Sequence, residues 1–352
     1  MKKLLALIAI AVLAVNVQAG EYPDISIGDL EKAIKAGKVV VIDVNGAKSF
    51  TKRGHIPGAV AFKGAKDLAK QLEKNSVPVL VTETITGNEA QSAIGDPNET
   101  FSLSLGAAWI FSAETIEGKF GGRLFNLHGT RLPQYRGGGA FSWQIMCGNR
   151  LGFCVLHKIE PEPDEGKLLA VEEFLYPNSC RTPLDFMIIY IDKNFEFVTE
   201  ILAKAFDGGI AFSPVGQPNY ISTYWPRLHA PTHSWVDWSL NASEIERFIC
   251  AFDEPYHGAQ SLWNGQPVYL RGAIADFNEG TFHPFQAGLV FRKNGSWLHV
   301  AAKGGNVIVQ SITDADGKSL MSMIRNGDRL ITPHEKLDHA KQRVIYTPSG
   351  LK

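Results

Sequence analysis

Residues 124–139 read LFNLHGTRLPQYRGGG. The stretch opens as a short apolar strand and closes as a loop with two arginines, a tyrosine and a run of three glycines. Residues two apart in a strand point to the same face, so Asn126 and His128 project together at the strand's end. An amide donor beside an imidazole is a pairing suited to holding a carbonyl oxygen and moving a proton. A lone histidine at a strand end is ordinarily structural, so the reading depends on what the rest of the chain supplies.

Upstream, FSLSLG at residues 101–106 is a strand candidate that runs on through AAWIF into a helix near residues 113–117. Downstream, residues 141–146 look helical, and GFCVLHKI at residues 152–159 is a third strand. It ends in a proline-broken acidic loop, EPEPDEG at residues 160–166, which carries Asp164. Three strands separated by helices, with loops at their carboxyl ends, predict a parallel sheet with its site along that edge. Asp164 is the candidate partner of Asn126 and His128.

Farther on, residues 195–206 place Phe195, Val198, Ile201, Leu202 and Ala205 at core spacing for a helix. Residues 213–233 are irregular and proline-punctuated, and read as a linker wrapping the domain surface. Zinc binding by His229 and His233 is disfavoured, because Pro231 between them argues against the helix their spacing needs. A helix at residues 242–251 is capped by Asn241 or Ser243. From residue 268 onward, short strands alternate with Asn-Gly, Gly-Gly and Asp-Gly turns, the pattern of a small antiparallel barrel.

The chain has 352 residues, 45% of them hydrophobic and 20% charged, with a net charge of -1, which allows two or three globular domains. No overall charge excess invites nucleic acid or an anionic membrane. The four cysteines, Cys147, Cys154, Cys180 and Cys250, form no C-x-x-C motif and read as buried free thiols. Lys2 and Lys3, an apolar run over residues 4–15 and the small-residue end Gln18-Ala19-Gly20 have the form of a secretory signal, too short for stable membrane insertion.

Two resemblances extend this reading. VVIDVNGAKSFTKRGHIPGAVAF, within residues 24–75, resembles the first half of a rhodanese domain. That family's sulfur-carrying cysteine has no counterpart, since no cysteine precedes Cys147. Sulfur transfer needs a thiolate, so a structural or vestigial half-domain is expected, or a join between two unrelated reading frames near residues 75–80.

Residues 101–352 resemble the formyltransferase family that includes methionyl-tRNA formyltransferase and the amino-sugar N-formyltransferases. FNLHGTRLPQYRGGG is similar to its N-x-H-x-S-x-L-P-x-Y-R-G signature, with Thr130 in place of the usual serine. PDEGKLL stands where the family has a D-x-G loop, and VDWSLNASEIERFICAFDEPYHGA is similar to its D-W-S helix and A-F-x-x-P-x-x-G-A segment.

The resemblance implies an α/β fold: an incomplete Rossmann-like parallel-sheet formyltransferase core and a small C-terminal β-barrel-like domain, behind the partial rhodanese-like segment. Its divisions would be a signal over 1–20, the rhodanese-like segment over 21–77, a front-truncated core over 78–206, a linker over 207–234 and the C-terminal domain over 235–352. Residues 39–44 would have to serve as a surrogate parallel strand.

The implied donor is 10-formyltetrahydrofolate, with no metal. Asn126 would donate to the oxyanion, protonated His128 would share its charge or protonate the departing folate nitrogen, and Asp164 would hold His128 charged and relay the amine's proton. Gly106, Ala108, Trp109, Ile110 and Glu162 would line the pterin pocket. Thr130, Arg131, Tyr135 and Arg136 would meet the substrate, with Arg136 also the expected anchor of the Y-R-G turn.

From Trp235 to Lys352 there are 12 Lys plus Arg and 12 Asp plus Glu, so a grip on tRNA backbone is not expected. A small amine, a nucleotide-linked amino sugar, is the expected substrate. Methionyl-tRNA formyltransferase, formyltetrahydrofolate hydrolase and a non-catalytic secreted binding module are the alternatives. Export implied by the signal conflicts with the cytosolic setting of reduced folates, and the sequence leaves the oligomeric state open.

Overall fold

A computed structural model describes residues 42–43, 60–61, 85, 88–97, 100–104, 110–206, 213–347 and 350–351. The expected signal, the helices and most of the strand of the rhodanese-like segment, and Gly106, Ala108 and Trp109 lie outside the described residues.

At the front, β1 (Ile42–Asp43) and β2 (Val60–Ala61) pair in parallel, with Ile42 opposite Val60. Then come α1 (Asn88–Ile94), β3 (Ser102–Ser104) and α2 (Ala113–Phe120). Ser112 caps α2 by accepting from the Thr115 amide, and Gly121, in the left-handed region at φ 56°, ends it. β4 (Leu124–His128), β5 (Arg136–Gly137), α3 (Ala140–Met146), β6 (Leu151–Lys158), β7 (Leu168–Leu175) and α4 (Pro183–Phe206) complete the first unit.

Four of these strands form one sheet in the order β3-β4-β6-β7. β3 and β4 are parallel, as expected of the α/β class, with Leu103 opposite Phe125. The direction of β6 corrects the strand-level expectation: it runs antiparallel to β4, with Asn126 opposite His157 and His128 opposite Val155. The chain re-enters the sheet from the end where β4 left it. β7 follows as an antiparallel hairpin partner of β6. Among the described residues, β1 pairs with β2 in a separate sheet, so the surrogate-strand role for residues 39–44 is not found there.

The helix expected over 195–206 begins at Pro183, where proline's fixed φ and missing N–H suit a first turn. Its buried stripe includes Phe197, Val198 and Ile201, and Phe195 is only half-buried.

Residues 213–233 are no loose wrapping. β8 (Tyr224–Trp225) pairs in parallel with β5, and α5 (Ala230–His233) is a single helical turn that accommodates Pro231 at its start. Next comes α6 (Ala242–Ala251), where Asn241 and Glu244 form a reciprocal capping box.

β9 (Ala259–Trp263), β10 (Gln266–Asp276), β11 (Val290–Asn294), β12 (Trp297–Ala302), β13 (Gly305–Thr313) and β14 (Leu330–Ile331) make a six-stranded antiparallel sheet in the order β11-β12-β13-β10-β9-β14. A bridge between Leu289 and Arg329 joins its two ends, curling the sheet toward the expected barrel. α7 (His334–Ala340) follows.

One hydrophobic core spans both units. Ile145, Tyr176 and Phe186 from the first pack with Trp238, Ile245, Ile249 and Leu270 from the second. Fully burying each such side chain contributes about 1.5–3 kcal/mol, so the two units hold one another in register. Trp235 and Trp238 belong to buried structure, and the indole N–H of Trp238 donates to Ser261 Oγ at 3.0 Å.

All four cysteines are free; Cys154 and Cys250 are buried, and desolvation pushes both thiols up to about 12. Cys147 is exposed, against the expectation of burial, because it terminates the short α3 at the surface. Among the described residues, no helix is long and apolar enough to cross a membrane.

Candidate active site

β4 presents Asn126 and His128 on one face, and the antiparallel β6 sets His157 directly opposite Asn126. Asn126 Nδ2 lies 3.2 Å from His157 Nε2, and His157 Nδ1 lies 2.8 Å from the Lys158 carbonyl. That carbonyl can only accept, so the Nδ1 of His157 carries the proton and its Nε2 accepts from the Asn126 amide. Desolvation, with His128 nearby, holds the His157 pKa down to about 4, so the ring is neutral at pH 7. One N–H of Asn126 is thereby fixed, and the other is left to aim into the site.

His128 is buried at 9% exposure. Thr130 Oγ1 donates to the Tyr135 carbonyl at 2.8 Å, so it accepts from His128 Nε2 at 2.7 Å. The same Nε2 lies 2.9 Å from the Tyr135 carbonyl. This leaves His128 Nδ1 facing Asp164 Oδ1 at 3.5 Å. Asp164 Oδ1 is also 3.6 Å from His157 Nε2.

Asp164 occupies left-handed backbone at φ 57°, which an aspartate tolerates better than most residues. Its Oδ2 accepts from the Gly137 amide at 2.8 Å, and its carbonyl accepts from Gln217 Nε2 at 2.8 Å. Gly166, two residues on, has no room for a side chain: a Cβ there would lie 1.8 Å from the Lys158 carbonyl oxygen.

The structure thus brings Asn126, His128 and Asp164 together. The remaining sequence candidates divide. Arg131 and Glu162 are exposed, and Ile110 is 68% exposed. Thr130 and Arg136 are buried, at 2% and 4% exposure. Arg136 binds Glu165 at 2.7 Å, Gln217 at 3.2 Å and Asn219 at 3.2 Å, the anchoring role also expected of it. Tyr135 supports His128 through its carbonyl and stacks its ring on Trp225, with centroids 5.9 Å apart.

His157, Gln217 and Asn219 were missed. His157 enters only because β6 is antiparallel, and the other two lie in the stretch taken for a linker.

Residues 230–327 match the model of the formyl transferase C-terminal domain, and residues 26–96 match that of the rhodanese-like domain. The methionyl-tRNA formyltransferase of Magnetococcus marinus is 26% identical over 318 residues, covering 88% of this chain and 96% of that protein. The same-named protein of Dictyoglomus turgidum is 29% identical over 211 residues, 58% of this chain and 64% of that protein. The chain is thus similar to formyltransferases along most of its length and carries a formyl transferase C-terminal domain. That similarity marks it as a transferase, with a rhodanese-like segment at its front.

Two solved structures share its fold. The N-formyltransferase from Helicobacter canadensis, in complex with folinic acid and dTDP-3-aminofucose, aligns with a TM-score of 0.55 at 18% identity, covering 82% of this chain and 95% of that one. A variant of HypX from Aquifex aeolicus aligns with a TM-score of 0.52 at 20% identity, covering 72% of this chain and 44% of that one.

Proposed function

We propose that this protein moves a formyl group from 10-formyltetrahydrofolate to the amine of a nucleotide-linked amino sugar. The observation that carries the reading is the grouping of the Asn126 amide, the His128 ring and the Asp164 carboxylate, with His128 Nδ1 and Asp164 Oδ1 3.5 Å apart.

In the reaction, the neutral amine attacks the formyl carbon. A carbon–nitrogen bond forms and the carbonyl oxygen becomes an oxyanion. The second N–H of Asn126, aimed by the contact with His157, donates to that oxygen, and the charge on protonated His128 adds to its stabilisation. Asp164 takes the proton lost by the amine, and His128 delivers the proton from Nδ1 to the departing folate nitrogen as its bond to carbon breaks. Asp164 then returns its proton to His128, which restores both groups.

A cleft of about 550 Å³ adjoins Gly139, at the end of the glycine run, and is lined by Arg227, His229, Tyr256 and His257 among others. The Arg227 guanidinium and the Tyr256 ring at that opening suit a nucleotide with its phosphates. The neutral balance of charge over residues 235–352 favours such a small substrate over tRNA.

The rhodanese-like segment has no cysteine for sulfur transfer, so it takes no chemical role in this reading. The methionyl-tRNA formyltransferase relatives favour a second reading, transfer to an aminoacyl-tRNA.

Incubation of the full chain with 10-formyltetrahydrofolate and a panel of amino-sugar nucleotides should give a product heavier by one formyl group. Product only on methionyl-tRNA selects the second reading. Folate release without any amine selects hydrolysis, and no turnover by a folded protein removes the enzyme reading.

A further inference from the structure

Three lone pairs converge beside Asn126. His157 commits Nδ1–H to the Lys158 carbonyl, so its Nε2 presents a lone pair. His128 commits Nε2–H to the Thr130 hydroxyl and the Tyr135 carbonyl, so its Nδ1 does the same. Asp164 Oδ1 lies between them, 3.5 Å from one nitrogen and 3.6 Å from the other, and the three atoms all fall within 4.8 Å of one another. Asn126 donates to one of the three, His157 Nε2, and a cation placed among them would be held by all three.

We propose that His128 Nδ1, His157 Nε2 and Asp164 Oδ1 also form a binding site for a divalent transition-metal ion of the zinc class, which blocks groups used in catalysis. Ligand atoms each about 2.0–2.2 Å from one ion are separated from each other by roughly 3.0–3.5 Å, so the 3.5 and 3.6 Å spacings to Asp164 Oδ1 already fit, and the two histidine nitrogens, within 4.8 Å of each other, would close by up to about 1 Å.

The outer contacts are those of a built site. Each histidine is oriented through its other nitrogen by a backbone carbonyl, and Asp164 is oriented through Oδ2 by the Gly137 amide at 2.8 Å. Two imidazoles and one carboxylate suit zinc, cobalt or nickel, whereas magnesium and calcium take all-oxygen sets. Three protein ligands leave a further position for water or an anion.

The site shares residues with the proposed formyl transfer but does not rest on it. An ion held there occupies His128 Nδ1 and Asp164 Oδ1, which the transfer uses, so metal binding inhibits turnover. Asn126 competes with the ion, because its Nδ2 donates to the His157 Nε2 that the metal would take. It must turn aside for the ion to bind.

The test is a titration of the chelator-treated full chain with Co2+ in excess Mg2+, read by visible d–d absorption and reversed with Zn2+. One equivalent should bind. Asp164→Asn and His157→Gln should each weaken binding by more than about tenfold. Asn126→Ala should bind as tightly as the unaltered protein or more tightly, which a folding defect would not produce. Circular dichroism on every variant checks its fold. Absence of a cobalt band, or equal binding by the Asp164 and His157 variants, overturns the proposal. Because the metal itself is read, this outcome is independent of whether any formyl acceptor is found.

Discussion

Asn126 donates to His157 Nε2 across 3.2 Å, and the two residues stand directly opposite each other in the β4–β6 register. The strand that carries Asn126 to the site therefore also carries its positioning group. A glutamine at 157 keeps an acceptor for the amide, whereas an aliphatic residue removes it. His157→Gln should reduce kcat by no more than a few-fold, and His157→Leu should approach the loss of about a hundredfold or more expected when an oxyanion donor is misplaced. Steady-state kinetics on the two variants would separate orientation from packing.

The same histidine makes stability depend on pH. Burial, then the neighbouring His128, lowers its pKa from 6.5 to about 4 in the folded protein. Between those values the unfolded chain binds a proton that the folded chain does not, so stability rises with pH across the window. The contribution is complete above pH 6.5 and is lost as pH falls toward 4, by up to about 3 kcal/mol. Thermal denaturation between pH 7.5 and pH 4 should show a flatter profile for His157→Gln. An unchanged slope would show that other groups carry the acid sensitivity.

The strand at 124–128 was legible because apolar alternation and the loop after it are local properties. The Asn126 and His128 pairing followed from side-chain period alone, and Asp164 from its place at a strand end. His157 was not legible, since its position depends on strand direction, which no periodicity encodes. Gln217 and Asn219 were hidden for a similar reason. Their segment has no amphipathic period, and what orders it is the pairing of β8 with β5, a contact across more than eighty residues.

Asp164 combines a strained backbone with a charged role, and the two can be separated. Asparagine tolerates the left-handed region and retains an oxygen for the Gly137 amide, but it is neutral. Asp164→Asn should keep its melting temperature within a few degrees while the rate falls by about a hundredfold or more. Asp164→Ala should lose the rate and also about 1–2 kcal/mol, from the backbone conformation and the orphaned amide. Equal stability of the two variants would remove the structural part of this account.

Arg136 ties β5 to the acidic loop and to the segment after it. The Glu165 carboxylate is 42% exposed, so solvent screening keeps that ion pair weak. The larger share lies in the guanidinium fork that also meets Gln217 and Asn219. A lysine supplies a single point of donation and cannot span all three partners. Arg136→Lys should therefore cost about 2 kcal/mol in urea denaturation with an unchanged m-value. Glu165→Gln should cost less than half of that.

Gly137 is where the glycine run becomes obligatory. Its φ of 100° is unfavourable for any side chain, and a Cβ there would lie 2.3 Å from the Trp225 carbonyl oxygen, a backbone atom that cannot move without breaking the β5–β8 pair. The amide of the same residue holds Asp164 Oδ2. A displacement that relieves the clash must therefore also release the carboxylate facing His128. Gly137→Ala should lose about 3 kcal/mol or more of stability together with most of the activity. Gly265→Ala is the control, with φ at 77° and nothing within 4 Å of the added carbon, so it carries the backbone strain without the collision. It should cost about 1 kcal/mol and leave turnover intact. If the two variants proved equally mild, the close approach of β8 to the glycine run would not be what positions Asp164.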